Sequence, residues 1–145
     1  MPPFRLQQID HVVLRVYDLA AMQAFYCDVL GCTEERRQDA IGLVQLRAGE
    51  SLIDLVPVDG RLGRLGGAGP GRDGHNMDHL CLSVQNYDEA AIVAHLNAHG
   101  VRVGEIGSRY GAQGEGPSIY CYDPQGNRVE LKGPSIGTDE PAPGA

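Results

Sequence analysis

The chain carries one eight-residue pattern twice. Ile9-Asp10-His11-Val12-Val13-Leu14-Arg15-Val16 reads like Met77-Asp78-His79-Leu80-Cys81-Leu82-Ser83-Val84, with Asp, His, Leu and Val recurring in register. A repeat of this kind means one supersecondary unit used twice, so every other element is expected in two copies. Each segment alternates as a half-buried strand does. Val12, Leu14 and Val16 fall on one face and His11, Val13 and Arg15 on the other. In the second copy Leu80, Leu82 and Val84 oppose His79, Cys81 and Ser83. Each histidine therefore stands on the less apolar side of its strand.

A helix is expected after each strand. Asp18 can cap the stretch Leu19 to Leu30, with Gly31 as its stop; Asp88 can cap Ala90 to His99, with Gly100 as its stop. Short strands follow: Thr33–Gln38, Leu43–Leu46 and Leu52–Val56 in the first half, then Val101–Glu105, Ser118–Tyr122 and Arg128–Lys132 in the second. Asp123-Pro124-Gln125-Gly126-Asn127 is a turn signal between the last two. The fold class expected is α+β, two βαβββ modules over residues 8–58 and 76–132. The Gly- and Arg-rich stretch 59–75 reads as a flexible linker or mobile lid, and 133–145, rich in Pro, Gly and acid, as a disordered tail.

Composition removes several function classes. The formal net charge of -7 argues against a nucleic-acid partner, which needs clustered Lys and Arg. No apolar run approaches the roughly 20 residues of a membrane span, and the N-terminus lacks a basic-then-apolar export layout. Cys27, Cys32, Cys81 and Cys121 form no CxxC pair and read as reduced thiols. A cytoplasmic protein is the expectation.

The repeat pairs a second set of positions. Ile53-Asp54-Leu55-Val56 ends the first module and Val129-Glu130-Leu131-Lys132 the second. With Ile53, Leu55, Val129 and Leu131 facing a core, Asp54 and Glu130 project from the opposite face. Each module thus offers one imidazole and one carboxylate. Two imidazoles and a carboxylate suit a divalent ion such as Zn, Mn, Fe, Co or Ni. Solvated strand residues would give the same pattern, and periodicity alone leaves both readings open. His95 and His99, four apart on the second helix, read as surface residues, since no Glu joins them in an HExxH pattern. His75 lies in the Gly-rich stretch.

Over residues 8 to 132 the chain resembles the vicinal-oxygen-chelate superfamily of glyoxalase and bleomycin-resistance proteins. The resemblance is carried by Asp10-His11-Val12-Val13-Leu14, Ala24-Phe25-Tyr26, Leu30-Gly31, Asp78-His79-Leu80 and Tyr122-Asp123-Pro124-Gln125-Gly126-Asn127-Arg128-Val129-Glu130-Leu131. It implies curved sheets around a metal cavity, frequent homodimerisation, and one divalent ion held by His11, His79 and Glu130. Asp54 matches a fourth ligand position where the family has Glu or Gln. Being one methylene shorter, it is read here as the catalytic base, with Tyr120 and Glu115 next in line.

Gln113-Gly114-Glu115-Gly116 with Ser118-Ile119-Tyr120 and Tyr122-Asp123 resembles the substrate loop and strand of fosfomycin-resistance enzymes. Ser118, Tyr120 and Tyr122 share a strand face, so these three, with Glu115 and Arg109, are the expected substrate-binding residues. Three departures separate the chain from that group: Val13 replaces a Thr used in thiol transfer, no Glu base stands near Gly42, and Lys132 replaces a His. Uncharacterised glyoxalase-like proteins are the nearer resemblance. The function it implies is a lyase or isomerase on a small oxygen-rich substrate, the metal stabilising an enediolate or alkoxide. A fosfomycin-modifying protein and a non-catalytic drug- or metabolite-sequestering binder are the alternatives.

Overall fold

The computed structural model describes residues 1–136, and the chain falls into two compact units, Met1–Asn76 and Met77–Ala145. Of the expected tail, 137–145 lie outside the described residues. Each unit holds one four-stranded mixed sheet.

In the first unit β1 (His11–Val16) is followed by helix α1 (Leu19–Ala24), then β2 (Thr33–Gln38), β3 (Leu43–Ala48) and β4 (Ser51–Pro57), with sheet order β1-β4-β3-β2. Asp18 caps α1, its side chain accepting from Ala21 N at 3.0 Å. The helix widens into a π turn over Phe25–Val29 and stops at Gly31, whose φ of 86° favours glycine. Alternation then builds the core: Leu14, Val16, Val44, Leu46, Ile53 and Leu55 are buried from the sheet, and Met22, Phe25 and Tyr26 from the helix and its π turn.

The second unit repeats the order with β5 (Leu80–Ser83), α2 (Glu89–Ala98), β6 (Val103–Gly111), β7 (Gly114–Tyr122) and β8 (Arg128–Lys132), arranged β5-β8-β7-β6. Asp88 caps α2 through Ala91 N at 3.1 Å. Leu96, Ile119, Cys121, Val129 and Leu131 form its core. The paired α+β modules expected from the repeat are therefore present.

Two strands run four residues longer than the pattern predicts, and β3 and β4 two residues longer. β6 and β7 form a hairpin of two nine-residue strands, and Gly114-Glu115-Gly116, read as a loop, belongs to β7. Glycine-rich sequence hides strands, because it has no side-chain alternation to reveal them. The first tail residues are also held, Gly133 and Ile136 donating to the Pro117 and Glu115 carbonyls at 2.8 Å.

The segment read as a linker packs on its own unit. Arg15 donates to the Gly67 and Ala68 carbonyls at 3.1 and 2.9 Å, Tyr17 to Pro70 O at 2.7 Å, and Asn76 to Arg15 O at 3.0 Å. All four cysteines are free thiols. No helix among the described residues is long and apolar enough to cross a membrane.

Candidate metal centre

Each sheet sets its carboxylate beside its histidine by the same register. β1 and β4 run parallel with Val13 opposite Asp54, and β5 and β8 run parallel with Cys81 opposite Glu130. In both sheets the carboxylate is thus registered against the residue two after the histidine. The imidazole and carboxylate project from one face as near neighbours. His11 Nε2 lies 4.0 Å from Asp54 Oδ2, and His79 Nε2 lies 3.2 Å from Glu130 Oε1.

The outer nitrogen of each ring is engaged by the preceding aspartate. His11 Nδ1 is 2.7 Å from Asp10 Oδ1, and His79 Nδ1 is 2.6 Å from Asp78 Oδ2. Asp78 also accepts from Arg128 at 2.8 Å, and the bonds from His79 and Arg128 hold its carboxyl below the usual carboxylate range. An ionised carboxylate only accepts, so Nδ1 must carry the proton. The bond to Asp10 likewise raises the His11 pKa, against the opposing effect of desolvation. In the neutral ring Nε2 then presents a lone pair, which is the ligating tautomer.

The two carboxylates differ in surroundings. Glu130 is buried, and desolvation works to raise its pKa. Hydrogen bonds from Ser118, Tyr120 and Cys81, with the nearby His79, outweigh that and hold the group below its ordinary value. The Ser118 hydroxyl donates to Glu130 Oε2 at 2.6 Å. Asp54 is equally buried but receives only the Gln45 amide, 3.3 Å from each oxygen. Burial dominates and raises the Asp54 pKa, against Gln45 and His11. Glu130 is thus held toward its anionic form, whereas burial moves Asp54 the other way.

The donor set fits a divalent cation. His79 Nε2 and Glu130 Oε1 stand 3.2 Å apart, an ion pair if the ring is protonated and two facing lone pairs if it is not. That contact is favourable only with a proton or a metal ion between them. Among the described residues, no three of His, Cys, Asp and Glu gather into one metal-holding group. Each unit supplies a His–carboxylate pair.

Around the second pair the structure gathers most of the expected substrate residues. Ser118, Tyr120 and Tyr122 share the β7 face toward Glu130, Tyr120 being registered directly against it. The His79 ring meets Tyr120 edge-on at 5.6 Å between centroids. Arg109 and Arg128 flank Tyr120, with guanidinium carbons 5.5 and 5.4 Å from its ring centre. Glu115 is not brought to this group. It alternates with Gly116 and Ser118 along β7 and accepts from Ser108 at 2.6 Å. Gln45 escaped the sequence reading. It holds in the first sheet the place Tyr120 holds in the second, opposite the carboxylate. Its signal was a polar residue between buried Val44 and Leu46.

With this geometry in place, comparison with known proteins is informative. Residues 8–131 match the model of the Glyoxalase/Bleomycin resistance protein/Dioxygenase superfamily. An Escherichia coli K12 protein, YaeR, described as uncharacterized, is 32% identical over 133 residues, covering 87% of this chain and 95% of its own. The mitochondrial methylmalonyl-CoA epimerase of Bos taurus is 27% identical over 137 residues, covering 90% and 77%. The crystal structure of a virulence protein from Salmonella typhimurium superposes with a TM-score of 0.70 at 25% identity, covering 90% and 99% of the two chains.

Proposed function

The chain belongs to the glyoxalase, bleomycin resistance and dioxygenase superfamily, and from that premise we propose that it is a divalent-metal lyase or isomerase acting on a small oxygen-rich substrate. The observation that carries this reading is the His79–Glu130 contact at 3.2 Å, a position that a divalent ion between the two side chains would satisfy as a proton does. His11, His79 and Glu130 would hold one Zn, Mn, Fe, Co or Ni ion. Bound there, the ion would act as a Lewis acid toward negative charge developing on a substrate oxygen.

The chain's own residues supply the rest. Asp10 and Asp78 orient the two imidazoles. Ser118 and Tyr120 fix the Glu130 carboxylate, and Tyr120 closes one side of the His79 ring. Asp54 takes a proton from a carbon next to a substrate carbonyl, because it is buried, held by Gln45 and raised in pKa by that burial. Proton transfer at such a carbon is the step an epimerase requires, and the epimerase relative lends that class support. A homodimer in the cytoplasm, acting on small molecules and not on nucleic acid or membrane, completes the proposal; light scattering tests the dimer.

The test is metal-dependent deuterium exchange. Protein with bound metal, and the same protein after chelation, is incubated in D2O with the glutathione hemithioacetal of methylglyoxal and with a 2-methyl-branched acyl thioester. Deuterium incorporation at the acidic carbon, lost on chelation, supports the enzyme. Tight binding across such a panel without exchange would favour the sequestering binder.

A further inference from the structure

Arg102 lies over the Tyr122 ring, its guanidinium carbon 3.6 Å from the ring centre. At that height the planar group must stack, because an edge-on guanidinium would drive a nitrogen into the ring. Stacking leaves its N–H donors spread around the rim of the guanidinium plane. Among the described residues no carboxylate or other acceptor engages them, and Arg102 is exposed, so they meet solvent. Tyr122 follows Tyr120 by two on β7, so both rings lie on the Glu130 face. Tyr122 N donates to Arg102 O at 3.1 Å, which sets the two residues side by side.

Strand β6 is shaped to carry these groups. A Cβ at Gly104 would stand 3.2 Å from Tyr122 Cε2, and one at Gly107 would stand 2.9 Å from an Arg109 guanidinium nitrogen. Neither glycine has a positive φ, so backbone conformation does not require them. The space they leave holds the Tyr122 ring and the Arg109 head. Arg102, Arg109 and Arg128 thus gather over Tyr122 and Tyr120 in a chain whose net charge is -7. Arg109 and Arg128 each face a carboxylate, Glu105 and Asp78, whereas Arg102 does not. The repeat supplies a comparison. Arg47 stands on β3 where Tyr122 stands on β7, two residues beyond the one registered against the carboxylate. Its charge is met within the first sheet by Glu35 at 3.1 Å. The second sheet places a cation at this corner and supplies no acid.

We propose that Arg102, positioned by the Tyr122 ring, binds a carboxylate or phosphate at the end of the substrate remote from the atoms that meet Glu130. This deepens the functional reading above, and rests on it only in taking the Glu130 face as the one the substrate meets. Tyr120 and Tyr122 are spaced roughly 7 Å apart along the strand. The substrate is therefore extended, with its anion several bonds from its reacting carbon. A guanidinium fork offers two parallel N–H bonds to two oxygens of either anion. Because the ring fixes the fork before the ligand arrives, binding costs little side-chain freedom.

The experiment titrates inorganic phosphate and succinate by calorimetry into metal-loaded and into metal-stripped protein. The wild-type chain is compared with Arg102→Gln, Tyr122→Leu, Tyr122→Phe and Arg36→Gln, each checked for cooperative melting. One of the two anions should bind the wild type with or without metal, and the tighter one assigns the class. Arg102→Gln should weaken that binding about tenfold or more, as loss of one charge-assisted bond does. Tyr122→Leu, which removes the ring, should weaken it as well, and Tyr122→Phe, which keeps the ring, should not. Arg36→Gln removes the same charge from an exposed place on β2 and should leave binding unchanged, which separates a local contact from the overall field. No binding of either anion by the wild type, unchanged binding in Arg102→Gln, or an equal loss in Arg36→Gln would each overturn the proposal. Binding that survives Tyr122→Leu would overturn the part given to the ring. Metal content, read separately on every protein, tests the metal reading, so the two can fail independently.

Discussion

His79 presents Nε2 to Glu130 Oε1 at 3.2 Å while its Nδ1 is fixed by Asp78 at 2.6 Å. The second contact sets the tautomer and the first sets the binding position. Asp78→Asn keeps the shape but removes the ionised acceptor that demands a proton on Nδ1. It should weaken metal affinity about 10- to 100-fold, the usual cost of losing such an outer partner. Competition against a chromogenic chelator reads the affinity directly. Affinity equal to wild type would show that Asp78 serves only Arg128.

Asp54 should govern turnover more than metal retention. It lies 4.0 Å from His11 Nε2, and burial raises its pKa from the usual aspartate value. Asp54→Asn should keep metal stoichiometry and slow deuterium exchange by about 10²–10⁴-fold. Loss of metal instead would make Asp54 a fourth ligand.

Fosfomycin should be a poor substrate. Val13 occupies the position where thiol-transferring relatives carry Thr, and Gly42 holds a φ of 70° in the turn where a hydrolytic Glu would be needed. Without an activated nucleophile a metal does half the chemistry. Expression in a sensitive host should leave the inhibitory concentration nearly unchanged; a large rise would contradict this.

The turn before β8 should be a stability determinant of the second unit. Asp123 accepts from Gln125 N and Asn127 N at 2.9 Å and from the Asn127 amide at 2.8 Å, and both side chains are buried. Asp123→Ala strands those donors and should cost about 1–3 kcal/mol, read by urea denaturation. A smaller loss would show that water replaces the carboxylate.

The repeat made the modules and both His–carboxylate pairs legible, because period-two alternation states which side chains share a face. It could not show Gln45, whose role depends on lying across β3 from Asp54, a pairing no local pattern records. It could not extend β7 through Gly114 and Gly116, since glycine carries no alternation. Nor could it show that residues 66–70 lie against Arg15 and Tyr17. A glycine-rich stretch that receives side chains has the same composition as one that merely moves.

The central claim is tested most directly by metal analysis. The protein purified without added metal, and the His79→Ala, Glu130→Ala double variant, are compared by plasma mass spectrometry after checking that both melt cooperatively. The account predicts one divalent ion per wild-type chain and almost none in the folded double variant, since the core residues of β5 and β8 alternate with the two replaced. Equal metal in both proteins, or none in the wild type even after reconstitution with Zn, Mn, Fe, Co and Ni, would contradict it.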